Sequence, residues 1–130
     1  MKFKLLSQRE ELIARKIVDS AYQVHKVLGP GLLERVYEVC FWHELSKRDL
    51  KFQRQVDLPI KYDGMVFDEG LRLDVLVEEH IICELKAVDQ MNPVWKAQLI
   101  SHLKLTDRRL GFLINFNVPL LKNGINRIIL

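Results

Sequence analysis

The stretch Arg72–Val88, RLDVLVEEHIICELKAV, decides how the chain is read. Two apolar, β-branched runs are separated by Glu78-Glu79-His80, which is a hairpin signal. Each run nevertheless carries charge in its middle: Asp74 in the first, Glu84 and Lys86 in the second. A three-residue loop at 78–80 pairs Val77 with Ile81, and counting back along both strands sets Asp74 opposite Glu84. Side chains alternate across a sheet, so Leu71, Leu73, Val75, Val77, Ile81, Cys83, Leu85 and Ala87 form one wholly apolar face. Arg72, Asp74, Leu76, Ile82, Glu84, Lys86 and Val88 form the other. A two-residue loop would oppose Asp74 to Leu85 and mix the faces, so the pattern selects the first register.

Carboxylates opposed on neighbouring strands have β-carbons about 4.5–5.5 Å apart, and like charges so placed destabilise a sheet. Something positive must stand between them: either Arg72 and Lys86, giving a charge-balanced quartet, or a divalent cation. On a solvated sheet face the quartet is the simpler reading. If helices cover both faces the group is partly desolvated, where unpaired charge is expensive and shifted protonation marks working sites. Hard oxygen ligands suit Mg²⁺, which binds through one or two carboxylates and completes its shell with water and substrate phosphate. Lys86 lies two residues beyond Glu84 on the same face, about 6.5 Å along the strand. An ammonium there orients an attacking water and offsets charge on a phosphate.

Upstream, Ile13, Ala14, Ile17, Val18, Ala21, Val24 and Leu28 recur at helical spacing, and Gly29-Pro30-Gly31 ends that helix. A second helix is expected from Leu32 to about Arg48. Strands follow at 53–62 and 65–77, joined by the tight-turn dipeptide Asp63-Gly64, with a break expected near Glu69-Gly70. The third strand covers Ile81–Val88. Asn92-Pro93 opens a helix to about Thr106. Leu110–Phe116 is a buried strand, and the final INRIIL a short closing one. The order α-α-β-β-β-α-β predicts an α/β fold in which the third strand and LGFLINF run parallel in one mixed sheet, with helices on both faces.

At 130 residues, 48% of them hydrophobic, the chain is expected to form one domain over 1–130. A net charge of +3 permits a polyanionic partner without demanding one. The N-terminal apolar run is too short for a signal peptide and no stretch is long enough to span a membrane, so a soluble cytoplasmic protein is expected. Cys40 and Cys83 lie in apolar patterns and read as reduced, buried thiols. The four histidines make no zinc motif, and there is no Walker loop or Gly-x-Ser-x-Gly elbow.

Asp74, nine intervening residues and Glu84-Leu85-Lys86 resemble the Asp…(Asp/Glu)-x-Lys signature of the PD-(D/E)xK nuclease superfamily, on the second and third strands of that superfamily's core order. LGPGLLERVYE (28–38) resembles the motif of the GxxExxY protein family through Gly31, Glu34 and Tyr37. The later blocks DEGLRLDVLV, ICELKAV, AQLISHLKL and RLGFLINFNVPLLKNGINRIIL are similar to that family as well. The resemblance implies a restriction-endonuclease-like fold and a Mg²⁺- or Mn²⁺-dependent nuclease acting on DNA or RNA. It implies Asp74 and Glu84 as metal ligands with the Leu85 carbonyl as a third, and Lys86 as the water-orienting group. Glu34 matches the acid on the helix before the sheet, although a first-turn acid also suits the helix dipole without any catalytic role. Tyr37 is expected to pack. Gln98 matches a glutamine of the crossover helix; His102, one turn on, departs from the tyrosine of the exonuclease branch, and Trp95 reads as core or interface.

Two functions of different class follow: the nuclease, or a catalytically inactive module of the same fold that binds nucleic acid or a protein. A glycosidase is disfavoured, because opposed strand carboxylates beside a lysine lack the raised-pKa acid partner. A homodimer is expected, with Phe41 and Trp42 offering apolar surface.

Overall fold

The computed structural model describes residues 6–130, so the first five residues of the stretch read for a leader lie outside the described residues. Helix α1 (Gln8–Leu28) begins at a capping box: Ser7 Oγ accepts from the Glu10 amide while the Glu10 carboxylate accepts from the Ser7 amide. Its stripe of Ile13, Ala14, Ile17, Ala21 and Val24 is buried. Gly29, at φ 66°, ends the helix, its amide donating to the His25 carbonyl.

Helix α2 (Glu34–Lys47) starts two residues later than its apolar pattern suggests. Tyr37 sets that start. Its ring is fully buried and stacks on Phe116 with centroids 4.8 Å apart. Its hydroxyl donates to the Gly29 carbonyl at 2.6 Å and accepts from the Leu32 amide at 3.1 Å, locking the loop between the helices. Tyr37→Phe deletes both bonds without changing shape and is expected to cost about 1–2 kcal/mol in denaturant unfolding. An unchanged midpoint would mean that the loop is held by packing alone.

Five strands form one sheet in the order β1 (Phe52–Tyr62), β2 (Met65–Val77), β3 (Ile81–Lys86), β4 (Leu110–Asn115) and β5 (Ile125–Ile129). The hairpin register is the expected one, with Val77 opposite Ile81. Helix α3 (Pro93–Leu105) carries the chain from β3 to a parallel β4, and its N-cap Asn92 accepts from the Val94 amide. One apolar core lies between the sheet and α1 with α2 (Ile17, Phe41, Leu45, Val75, Cys83, Phe112). A second lies under α3 (Leu76, Ile82, Leu99, Leu103, Leu113). Helices therefore cover both sheet faces, as the element order predicts.

Three expectations are corrected. Leu71 and Leu73 pack in the α3 cluster with Leu76, not with Val75 and Val77. The strict alternation fails across Asp74, opposite Gln55, whose φ is 48°. Past this point the β1–β2 ribbon turns over α3, and Lys61 Nζ lies 3.7 Å from Asp107 Oδ2, just beyond the end of that helix. Second, β2 is not broken near Glu69-Gly70; the register shifts instead, so that residues 68–70 stand against Pro59 alone. Gly70 permits this, because a β-carbon there would lie 2.7 Å from the Leu58 carbonyl oxygen. Third, Phe41 (0% exposed) and Trp42 (5%) are core residues and offer no surface to a second subunit.

Candidate functional site

The two central strands of the hairpin part where their charges stand. Val75↔Cys83 is the last pair of the β2–β3 ladder, and beyond it the Leu85 amide is satisfied by Asp74 Oδ2 at 3.0 Å. A side chain thus takes the place of a missing backbone partner and anchors Asp74 against β3. Glu84, on the opposite strand, shares a cleft with Lys86 and with Trp95, Gln98 and His102 of α3. The fold therefore brings five residues from two elements, β3 and α3, into one cleft.

Glu84 is the strained member. Burial pushes its carboxyl up to about 7; the nearby Asp74 charge adds to the rise, and His102 works against it. The Glu84 Oε1–His102 Nδ1 separation is 3.8 Å, too long for a hydrogen bond, and both atoms are buried without a partner.

The cations do not come to the acids' aid. Arg72 is turned outward by the bend of the ribbon: its Nε donates to Gln55 Oε1 at 3.2 Å and its Nη1 lies 3.9 Å from Asp57. Lys86 Nζ rests over the Trp95 ring, 4.4 Å from the centroid. Among the described residues neither closes an ion pair with Asp74 or Glu84. The charge-balanced quartet is not formed.

Helix α2 adds acid instead of base. Glu34, its first residue, has a carboxyl raised by burial and then by the charges of Asp74 and Glu38, with Lys86 opposing. Glu38 is buried one turn later; its carboxyl is likewise raised by burial and by Asp74, against the pull of Arg35 and of a 3.4 Å hydrogen bond from Gln55 Nε2. Glu38 and Gln55 were not singled out from sequence. The i, i+4 spacing from Glu34 carried the signal for Glu38; for Gln55 the only hint was the β1 position that faces Asp74. Tyr37 packs, as expected, and orients the site only through the loop it locks.

The segment leaving Lys86 is fastened by buried Asn115, whose Oδ1 accepts from the Val88 amide and whose Nδ2 donates to the Val88 carbonyl. Next to it, Asn117 Oδ1 accepts from the Gly31 amide at 2.9 Å. The loops before α2 and after β3 are thereby tied to one end of the sheet, where the acids converge.

Glu34, Glu38, Asp74 and Glu84 together make a seat of excess negative charge, with an orphaned oxygen on Glu84. Such a hard-oxygen set fits a small divalent cation. Among the described residues no group of three or more His, Cys, Asp or Glu side chains is disposed to enclose an ion. The fit is therefore to an ion that takes two carboxylates and leaves the rest of its shell to water and phosphate, which is the habit of Mg²⁺. Among the described residues no helix is long and apolar enough to cross a membrane.

A family model described as the PD-(D/E)XK nuclease superfamily matches residues 11–128. No curated protein and no solved structure matches.

Proposed function

This chain belongs to the PD-(D/E)XK nuclease superfamily, and from that premise we propose that residues 1–130 form one metal-dependent nuclease domain hydrolysing phosphodiester bonds of DNA or RNA. The observation that carries the reading is the unanswered acidity of the site: Asp74 and Glu84 converge while Arg72 and Lys86 bind elsewhere. Nuclease chemistry needs that excess charge, because a cation must be drawn in.

Asp74 and Glu84 would hold Mg²⁺ or Mn²⁺, with the Leu85 carbonyl as a further ligand. When bound, such an ion lowers the pKa of a water and offsets charge on the phosphate. The chain's own groups do the remaining work. Trp95 holds the Lys86 ammonium at the cleft, where it orients the attacking water and meets the developing phosphate charge. Gln98 offers its amide to a phosphate oxygen. Glu34, with its raised carboxyl, is the acid placed to accept a proton from the water. Within the superfamily we assign the chain to the GxxExxY family on Gly31, Glu34 and Tyr37. A homodimer would be built on exposed Val27 of α1 and Leu33, Val36 and Val39 of the α2 region.

The test is direct: purified protein is incubated with single-stranded, duplex and branched DNA and RNA in Mg²⁺, Mn²⁺ or EDTA. Cleavage that requires the ion is expected. Binding without cleavage in any metal would favour the second reading, a nucleic-acid-binding module, which is motivated by the absence, among the described residues, of a third side-chain ligand and by the use of Asp74 Oδ2 as a structural acceptor.

A further inference from the structure

An acidic site repels the polyanion it is meant to cut, so phosphate must be received next to the acids by fixed positive charge. Arg35 and Arg54 meet this need. Arg35 follows Glu34 in the first turn of α2, and Arg54 precedes Gln55 on β1. The two elements bring both guanidiniums onto one side chain: Arg35 Cζ lies 5.0 Å and Arg54 Cζ 4.5 Å from the centroid of Trp42. Both arginines are exposed, and among the described residues neither closes an ion pair or hydrogen bond with an acid.

Two like charges sharing one indole repel each other unless an anion joins them. A guanidinium held over a ring by cation–π attraction still has N–H donors to spare for phosphate, which a planar fork can grip bidentately. Because the indole fixes both side chains beforehand, little rotamer freedom is left to lose on binding. The place is also right: Arg35 eases the Glu38 carboxyl, Gln55 hydrogen-bonds to it, and Asp74 raises it.

We propose that Arg35 and Arg54, held on Trp42, form a phosphate clamp that receives the nucleic-acid backbone beside the acidic site. This rests on the nuclease reading and extends it by assigning the substrate's backbone a binding point outside the cleft of Glu84 and Lys86. The clamp reads phosphodiester charge, so DNA and RNA both engage it.

The competing explanation is that the arginine stems merely shield Trp42 from water. The double variant Arg35→Met, Arg54→Met separates the two, because methionine keeps the apolar cover and removes the charge. Binding of a fluorescent single-stranded oligodeoxynucleotide, and of the RNA of the same sequence, is measured by anisotropy in EDTA over a series of KCl concentrations. The double variant is expected to bind at least about tenfold more weakly, with the slope of log K against log salt reduced by about 1.4, and to unfold cooperatively with a melting temperature within a few degrees of the wild type. Loss on both probes supports the clamp; loss confined to one of them would mean that the arginines read more than the phosphate and overturns it. Wild-type affinity and slope in the variant, or no binding of either probe by the wild type, overturns it. Arginine-dependent binding by a protein that cleaves nothing in Mg²⁺ or Mn²⁺ would leave the clamp standing and remove the nuclease reading. Metal-dependent cleavage with unaltered binding by the double variant would do the reverse.

Discussion

Lys86→Ala is expected to lower metal-dependent cleavage by about 10²–10⁴-fold, the usual worth of one positioned proton-handling or charge-stabilising group. The same variant should keep its fold and its affinity for the divalent ion. Both halves of this prediction come from one contact: Lys86 Nζ lies on the Trp95 ring and not against Asp74 or Glu84. Removing it forfeits a cation–π contact of about 0.5–1 kcal/mol and leaves no carboxylate newly unpaired. Single-turnover cleavage and calorimetric Mn²⁺ titration separate the two effects. Asp74→Asn is the complement, expected to weaken ion binding. If Lys86→Ala cut at the wild-type rate, the lysine would be a bystander.

The second large effect concerns stability. Burial of Glu84, with Asp74 alongside, raises its carboxyl to about 7, whereas in the unfolded chain it titrates near 4.5. Below the lower value both states hold the proton and the group is neutral to folding. Between about 4.5 and 7 the unfolded chain releases a proton that the folded chain keeps, so stability falls as pH rises. Above 7 the loss levels off, on the order of 3 kcal/mol. Burial shifts Glu34 and Glu38 in the same direction.

Glu84→Gln, which keeps the shape and cannot ionise, should therefore melt several degrees above the wild type at pH 8 in EDTA and level with it near pH 4.5. Added Mg²⁺ should stabilise the wild type and leave the variant almost unmoved. A wild-type melting temperature that stays flat from pH 5 to 8 in EDTA would mean that the acid is already answered within the fold, where His102 Nδ1 stands 3.8 Å from it. Function and stability thus pull apart at one residue, as expected where charge is stored for a ligand.

The hairpin register was legible because a period of two and a loop of three leave one arrangement that keeps an apolar face intact, and Val77 does face Ile81. The chain ends of the helices were legible for the same local reason: Gly29 and Asn92 act within one turn of themselves. The reversal at Asp74 was not. Its cause is a ribbon that must leave the sheet to cover Ile100 and Trp95 of α3, elements far away along the chain. The expectation that Phe41 and Trp42 would be surface failed on similar grounds. An apolar helix face says that something covers it, and here the cover is the chain's own sheet, Phe116 and two arginines.

By itself, then, the sequence determined the order of the elements, the pairing of the central hairpin and the placing of Asp74, Glu84 and Lys86 on its two strands, because these follow from alternation and spacing along short segments. Only the tertiary structure decided that Arg72 goes to Gln55 and Asp57, that Lys86 goes to Trp95, and that Glu38 joins the acids. Electrostatic partnership depends on distance and burial, and those arise when α2, β1 and α3 converge on one end of the sheet.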